Sequence, residues 1–251
     1  MDNPQAPLTP SRGRGPSLGT TWIWVAFAPA HRLTLAAVVG NRNLFAARRL
    51  VRAIRRCLAR GTWPLFTSDA LRHYAQVLLE AFGMWRQFPR TGKRGRPRHP
   101  VRVPHPSLAY AQVHKRREAG RIVEVTRSVI FGLPRAIQAR AAGLRRANGR
   151  KGRINTAYVE RNNLTLREEN GRLSRKTLAF SKNRRALQDQ VDFWRAYANL
   201  VRAHRSLRDP APPGEGPARW LARTPAMAAG VTDHLWTLEE LLTFNHWNYQ
   251  P

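Results

Sequence analysis

Carboxylates are scarce in this chain: 15 Asp and Glu stand against 44 Lys and Arg in 251 residues. An acid set inside an apolar or basic run therefore stands out, and two do so. Asp69 ends the run Leu65-Phe66-Thr67-Ser68. Glu160 lies in Tyr158-Val159-Glu160-Arg161-Asn162-Asn163-Leu164-Thr165-Leu166-Arg167. Carboxylate oxygens are ligands for hard cations. Two Mg²⁺ ions about 3.5–4 Å apart can activate an attacking oxygen and stabilise a leaving one, which is the chemistry phosphodiesters need. On a helix, Glu160, Asn163 or Leu164, and Arg167 share one face at i, i+3/i+4 and i+7. A metal-binding Glu160 would then have a cation two turns along, well placed for a bound phosphate. Each acid also has a plain structural reading. Asp69 could cap a helix that follows it, and Glu160 could be a first-turn acid favoured by the helix dipole. Spacing alone does not choose between the two.

The elements that must position these acids are legible in outline. Residues 22–28 and 33–39 are rich in aromatic and branched side chains and flank Pro29-Ala30-His31-Arg32, so they read as a hairpin. Leu44, Ala47, Leu50/Val51, Ile54 and Leu58 recur at three- and four-residue steps and predict a helix over 44–58, with Gly61 as its terminator. Leu65–Asp69 reads as a buried strand, and Ala70–Phe82 as a helix. Residues 88–107 are a basic, Pro-rich connector. A second hairpin is expected over 109–131, with Ala119-Gly120 near its turn, followed by a weak helix over 134–147. Asn155-Thr156 is placed to cap a helix running from Ala157 to about Asn170. A longer helix follows from Ser181 to Ala203, its apolar stripe formed by Leu187, Val191, Trp194, Ala198 and Val201. Residues 209–217 read as a Pro/Gly linker. Thr224-Pro225 and the Thr237-x-x-Glu240 capping box open two short helices. Strands mixed with helices predict an α/β sheet. In such sheets chemistry gathers at the carboxyl ends of strands, where Asp69 would sit.

The formal charge is +29. Such a balance points to a polyanionic partner, most often nucleic acid, bound through counterion release. Arg enrichment from a GC-rich genome explains why Arg outnumbers Lys, but not why acids are so few. The 8 Trp, 9 Phe and 5 Tyr argue for a packed core and against a disordered polycation. Cys57 is the only cysteine, so a disulfide framework or a cysteine zinc site within the chain is excluded. The sequence has no apolar run long enough to span a bilayer, and Met1-Asp2-Asn3-Pro4 has no signal pattern. The expectation is a cytoplasmic, nucleoid-associated protein with no membrane partner.

Five segments carry a resemblance to a known family. The segment Asn155–Arg167 resembles the catalytic-helix segment of bacterial insertion-element transposases of the insertion-sequence-one type. Arg172–Lys182 is similar to the family's basic stretch after that helix. Tyr197–Arg208 resembles the Tyr-Asn…Arg-Pro-His-x-Ser-Leu tail of integrase-like transposases, with Ala203 in place of Pro. Thr224-Pro225-Ala226-Met227-Ala228-Ala229-Gly230 is similar to the usual C-terminal motif, and Leu65–Asp69 to the second-carboxylate strand. The likeness covers roughly residues 20–242. It implies a ribonuclease H-like mixed sheet flanked by helices and an Asp-Asp-Glu site holding two Mg²⁺ or Mn²⁺ ions. Asp69 would be the second catalytic and metal-binding carboxylate and Glu160 the third. Arg161, Asn163, Arg167, Arg172, Arg175 and Lys176 would contact DNA, both element ends and target. Such enzymes nick DNA at element ends, and the freed 3′-hydroxyl attacks target DNA. The family's first Asp lies on a strand before the hairpin, but residues 1–20 do not read as one. That strand and its Asp are therefore expected to be missing, with the chain inactive or nearly so on its own.

The expected layout is a disordered remnant at 1–20, a catalytic core over 21–208 with a basic insert at about 88–153, and a linker with a helical tail over 209–251. Arg94-Gly95-Arg96-Pro97 resembles the core of an AT-hook, whose Arg side chains suit a narrow minor groove; a solvated basic connector is the favoured reading. Lys115-Arg116-Arg117, Arg145-Arg146, Arg150-Lys151 and Arg184-Arg185 are expected to track phosphates. His204 is a candidate neighbour of the metal site, though a lone His is more often structural. Trp22, Trp24 and Trp194 read as core. Two other function classes remain open: a non-catalytic basic DNA binder, and a partner that joins an intact transposase and modulates it; an intact transposase and a second copy of the chain (a homo-oligomer) are the candidate protein partners.

Overall fold

The computed structural model describes residues 21–89, 96, 98–144, 152–174, 178–211 and 219–244. In chain order the strands are β1 (Trp22–Ala28), β2 (Leu33–Gly40), β3 (Leu65–Asp69), β4 (Gly83–Arg86), β5 (Val101–Pro104), β6 (Ala109–Glu118), β7 (Arg121–Phe131), β8 (Asp209–Pro210) and β9 (Trp220–Leu221). The helices are α1 (Leu44–Cys57), α2 (His73–Phe82), α3 (Pro134–Gly143), α4 (Ala157–Glu168), α5 (Arg184–Leu200), α6 (Pro225–Ala228) and α7 (Leu238–Thr243). The chain is mixed α/β and divides into two compact units. One comprises residues 1–42 and 158–251, the other 43–157.

The first unit is built on the β1–β2 hairpin. Trp22 pairs with Gly40 and Ala28 with Leu33, with an irregularity between Ala26 and Phe27. α5 packs against β2. Their contact is the unit's core: Ala37 and Val39 from the strand meet Leu166, Leu173, Leu187, Val191 and Trp194, with Ile23, Val25 and Ala198 against it. Burial of aliphatic and aromatic area drives this packing, at about 25 cal/mol per Å² of apolar surface removed from water.

The outer edge of β2 is also closed by α5. Asn199 donates to Thr34 O at 2.9 Å and accepts from Thr34 N at 3.0 Å. Arg195 donates to Leu35 O at 3.3 Å. Gln188 accepts from Val39 N at 2.8 Å and donates to Ala37 O at 3.0 Å. Positions 188, 195 and 199 recur at helical spacing, so one polar stripe replaces a neighbouring strand. An open strand edge is a template for unwanted pairing, and covering it with a helix is one way to remove that liability.

The second unit holds a mixed sheet. β3 runs parallel to β6, with Leu65 opposite Ala109 and Asp69 opposite Val113. β6 runs antiparallel to β7. α3 packs against β3 and β6, and Ala109, Ala111, Val113, Ile137, Ala141 and Ile154 form the core beneath. A chain of hydrogen bonds crosses the sheet: Ser68 Oγ lies 2.7 Å from Tyr110 Oη, and Gln112 Nε2 donates to the same oxygen at 2.8 Å. Burial raises the Tyr110 phenol above its ordinary value. α1 packs against α2. Arg48 joins them by a paired salt bridge to Glu80, both N···O distances 2.7 Å. That bridge holds Glu80 below the ordinary carboxylate range.

Several boundaries differ from the sequence expectation for local reasons. α1 ends at Cys57 with Leu58 extended, and Gly61 sits beyond it at φ 78°, in a turn closed by Thr62 N to Ala59 O. α2 begins at His73 and not Ala70, because Asp69 Oδ1 accepts from Leu71 N at 3.3 Å and turns the chain first. α4 stops at Glu168, and Asn170 instead caps a single 3₁₀ turn over Gly171–Leu173. α5 starts at Arg184, capped by Asn183, which accepts from Arg185 N and Ala186 N. The connector expected at 88–107 contains β5, which pairs antiparallel with β4. The switch from α2 into β4 needs Gly83: a Cβ there would stand 2.4 Å from Leu79 O and 2.9 Å from Val103 O. Asp209-Pro210, at the start of the expected linker, pairs with Trp220-Leu221. The expected remnant at 1–20 and most of the linker lie outside the described residues.

Candidate functional site

Asp69 is exposed at the carboxyl end of β3, beside the parallel strand β6. Its carboxylate turns the following backbone through Leu71 N. It does not cap α2, whose first turn receives no side-chain cap. Glu160 lies in the first turn of α4, where the helix dipole favours an acid. Asn155 and Ala157, at the head of α4, are joined by an N–H donated from Ala157 to Asn155 Oδ1 at 3.0 Å. Along α4 the helical spacing sets Glu160, Asn163 and Arg167 on a common side. Arg161 is exposed, while Asn163 and Arg167 are half-buried. Leu166, on the flank of that side, is buried in the core. Asn163 Oδ1 and Asn162 Nδ2 are buried with no hydrogen-bond partner among the described residues, while Asn162 Oδ1 accepts from Thr34 Oγ1 at 3.3 Å. Arg172 is exposed within the 3₁₀ turn. Arg175, Lys176 and Arg94 lie outside the described residues, as do Arg145, Arg146, Arg150 and Lys151. Of the AT-hook-like segment, Arg96 is described and is exposed.

The two candidate carboxylates belong to different compact units, Asp69 to the second and Glu160 to the first. Among the described residues, no group of three or more Asp, Glu, His or Cys gathers at one place. A two-ion centre needs a cluster of oxygen ligands.

A polar cluster that the sequence reading only touched on surrounds His204. Ser206 N and Ser206 Oγ lie 3.3 and 3.0 Å from His204 Nδ1. Arg32 Nε donates to Ser206 Oγ at 3.3 Å, and its guanidinium lies 4.4 Å from the Tyr158 ring centroid. Burial, then Arg32 and Arg202, push the His204 imidazole below its ordinary value. A neutral ring accepting at Nδ1 carries its proton on Nε2. His204 N also donates to Arg223 O at 2.8 Å, so the cluster helps to anchor the C-terminal segment. This supports the structural reading of His204.

The cations are where the surface is most informative. α1 carries Arg48, Arg49, Arg52, Arg55 and Arg56 and no acid. Its other face is apolar: Ala46, Ala47, Leu50, Val51 and Ile54 are buried. Arg48 is spent on Glu80, and Arg55 donates to Ala81 O at 2.9 Å. Arg49, Arg52 and Arg56 are exposed and recur at i, i+3 and i+7, forming one stripe. Trp24 and Trp194 are buried at 5% and 7% exposure, which places both in the core. Trp22 is half-buried under Arg42, 4.8 Å from its ring.

No protein-family model matches the chain, and neither a curated protein nor a solved structure matches it. Among the described residues, no helix is long and apolar enough to cross a membrane.

Proposed function

We propose that this chain is a DNA-binding protein of the insertion-element transposase kind, with a ribonuclease H-like core, and that it engages duplex DNA chiefly through the phosphates. The observation that carries the reading is the Arg49/Arg52/Arg56 stripe on α1. Like charges at i, i+3 and i+4 cost a helix about 0.2–0.5 kcal/mol per pair. A helix serving only to cover a core would place acids among them. Guanidinium matches phosphate geometry in a bidentate way, so a stripe of exposed Arg side chains fits a row of phosphates. The chain-wide charge of +29 makes the same demand. The order hairpin, helix, strand ending in Asp and helix, followed after β4 and β5 by the parallel strand β6, supports a ribonuclease H-like core. The five segments resembling insertion-element transposases point to transposition as the setting.

The test is duplex binding followed by fluorescence anisotropy across a salt series. Each phosphate neutralised contributes about −0.9 to the slope of log K against log salt. R49Q/R52Q/R56Q should therefore flatten the slope by about 2.7, with the fold unchanged by circular dichroism. A triple variant with the parent's affinity and slope would remove the observation on which the reading stands.

A further inference from the structure

We infer that the outer half of the β6–β7 hairpin is a two-stranded ribbon that enters the major groove of duplex DNA, with one of its two faces toward the bases. This rests on the DNA-binding reading and extends it to a particular element and groove.

β3 pairs only with residues 109–113 of β6. From His114 onward, among the described residues, the hairpin continues as two strands, closed by Ala119 and Gly120 at φ 47° and 79°. Positive φ at both central residues makes a tight two-residue turn whose twist matches the strands. Five residues of β6 extend past β3, a reach of roughly 17 Å at about 3.3 Å per residue. The B-DNA major groove is about 12 Å wide and about 8.5 Å deep, and admits a two-stranded ribbon. The free length thus exceeds the depth to be crossed.

The register separates charge between the faces. Val113 pairs with Arg127, Lys115 with Val125 and Arg117 with Ile122; between them His114 pairs with Thr126, Arg116 with Glu124 and Glu118 with Arg121. Because side chains alternate along a strand, the first set shares one face. That face carries Lys115, Arg117 and Arg127, exposed Ile122 and Val125, and no acid. The second face carries Arg116 and Arg121 against Glu118 and Glu124. Arg116 bridges both acids there, at 2.7 Å to Glu118 and 3.3 Å to Glu124. Val123 is the extra residue where the register shifts between Arg116 and Arg117. Without that bulge the alternation would place Val123 opposite Arg117 and Ile122 among the acids.

The cationic face is also held in place. Its base is packed, Val113 lying in the core with Ile137, Ala141 and Ile154. Arg127 Nε donates to Ile154 O at 2.8 Å, which fixes the guanidinium at the foot of the ribbon. Arg117 Nη1 donates to Gly120 O at 3.3 Å at the tip. Two exposed aliphatic side chains set between three cations fit a groove that offers phosphates at its walls and thymine methyls on its floor. An acidic protein surface would satisfy the cations, yet would leave unexplained why one face is cleared of acids over a length matching the groove.

The experiment compares K115E/R117E with R116E/R121E in the full chain, on a B-form duplex, by anisotropy and by guanine N7-methylation interference. The two variants remove equal charge from opposite faces. K115E/R117E should weaken duplex binding at least about tenfold and abolish the methylation interference that the parent shows. R116E/R121E should weaken it less than about threefold and keep the interference. Circular dichroism and melting should match the parent for both. Equal losses from the two variants, or no N7 interference in the parent, would overturn the ribbon while leaving DNA binding standing. A parent that binds no duplex would overturn both.

Discussion

Replacing Asn199 by Ala should open the β2 edge and cost the first unit about 2–6 kcal/mol. Asn199 hydrogen-bonds both backbone groups of Thr34, donating at 2.9 Å to its oxygen and accepting at 3.0 Å from its nitrogen. Thr34 is 2% exposed, so water has little access when the amide is gone. A buried donor or acceptor left unpaired costs about 1–3 kcal/mol, and N199A leaves one of each. The total is large against a typical stability of about 5–15 kcal/mol. Asn199→Asp separates the two halves: it keeps the acceptor for Thr34 N–H and loses the donor to the oxygen, so its cost should be smaller. Urea unfolding gives the sum, and hydrogen exchange at the Thr34 amide gives the local part. N199A should accelerate that exchange and N199D should largely preserve it. The reasoning is refuted if N199A costs less than about 0.5 kcal/mol and leaves Thr34 protection unchanged.

Leu187→Ala removes a side chain 1% exposed at the centre of the first unit's core, and should cost about 2–5 kcal/mol by urea unfolding; a cost below about 1 kcal/mol would mean the site collapses freely. His204 should impose an acid-side loss of stability. Its folded value is lowered, so its contribution is fully present above the ordinary imidazole value near 6.5 and fades as pH falls through the lowered folded value. H204Q should flatten the stability profile below about pH 6, and an identical acid limb in the variant would contradict the assignment. Asp69→Asn should leave duplex affinity unchanged, and the chain should not nick supercoiled plasmid in Mg²⁺ or Mn²⁺. Nicking that disappears in Asp69→Asn would instead show a working carboxylate site.

Much of the chain was legible because its signals are local. The hairpin over β1 and β2, the turn at Ala119-Gly120, the strand ending at Asp69, and the caps at Thr224 and Thr237 each depend on a few adjacent residues. The non-local features were not. β4 follows α2 with no turn signal, and β5 is hidden in a basic, Pro-containing stretch; their pairing is decided by the tight approach at Gly83. The parallel register of β3 on β6 leaves no trace in either strand's composition. Gln188, Arg195 and Asn199 share a polar side of α5, and only the packing of α5 on β2 makes that side an edge cap. The same holds for the candidate site. Asp69 and Glu160 were visible as rare acids in unusual surroundings, while Tyr110, buried beside Ser68 and Gln112, carried no sequence signal. Lys115-Arg116-Arg117 read as one basic cluster. Strand alternation divides it, setting Lys115 and Arg117 on one face and Arg116 with the acids on the other.

The most direct test of the central claim is the affinity of the intact chain for a duplex of about 30 base pairs, measured from low to physiological salt. The account predicts binding whose log–log salt slope is steeper than about −2.7, the contribution of three phosphate contacts alone. Absence of binding at low salt, or an affinity indifferent to salt, would contradict it.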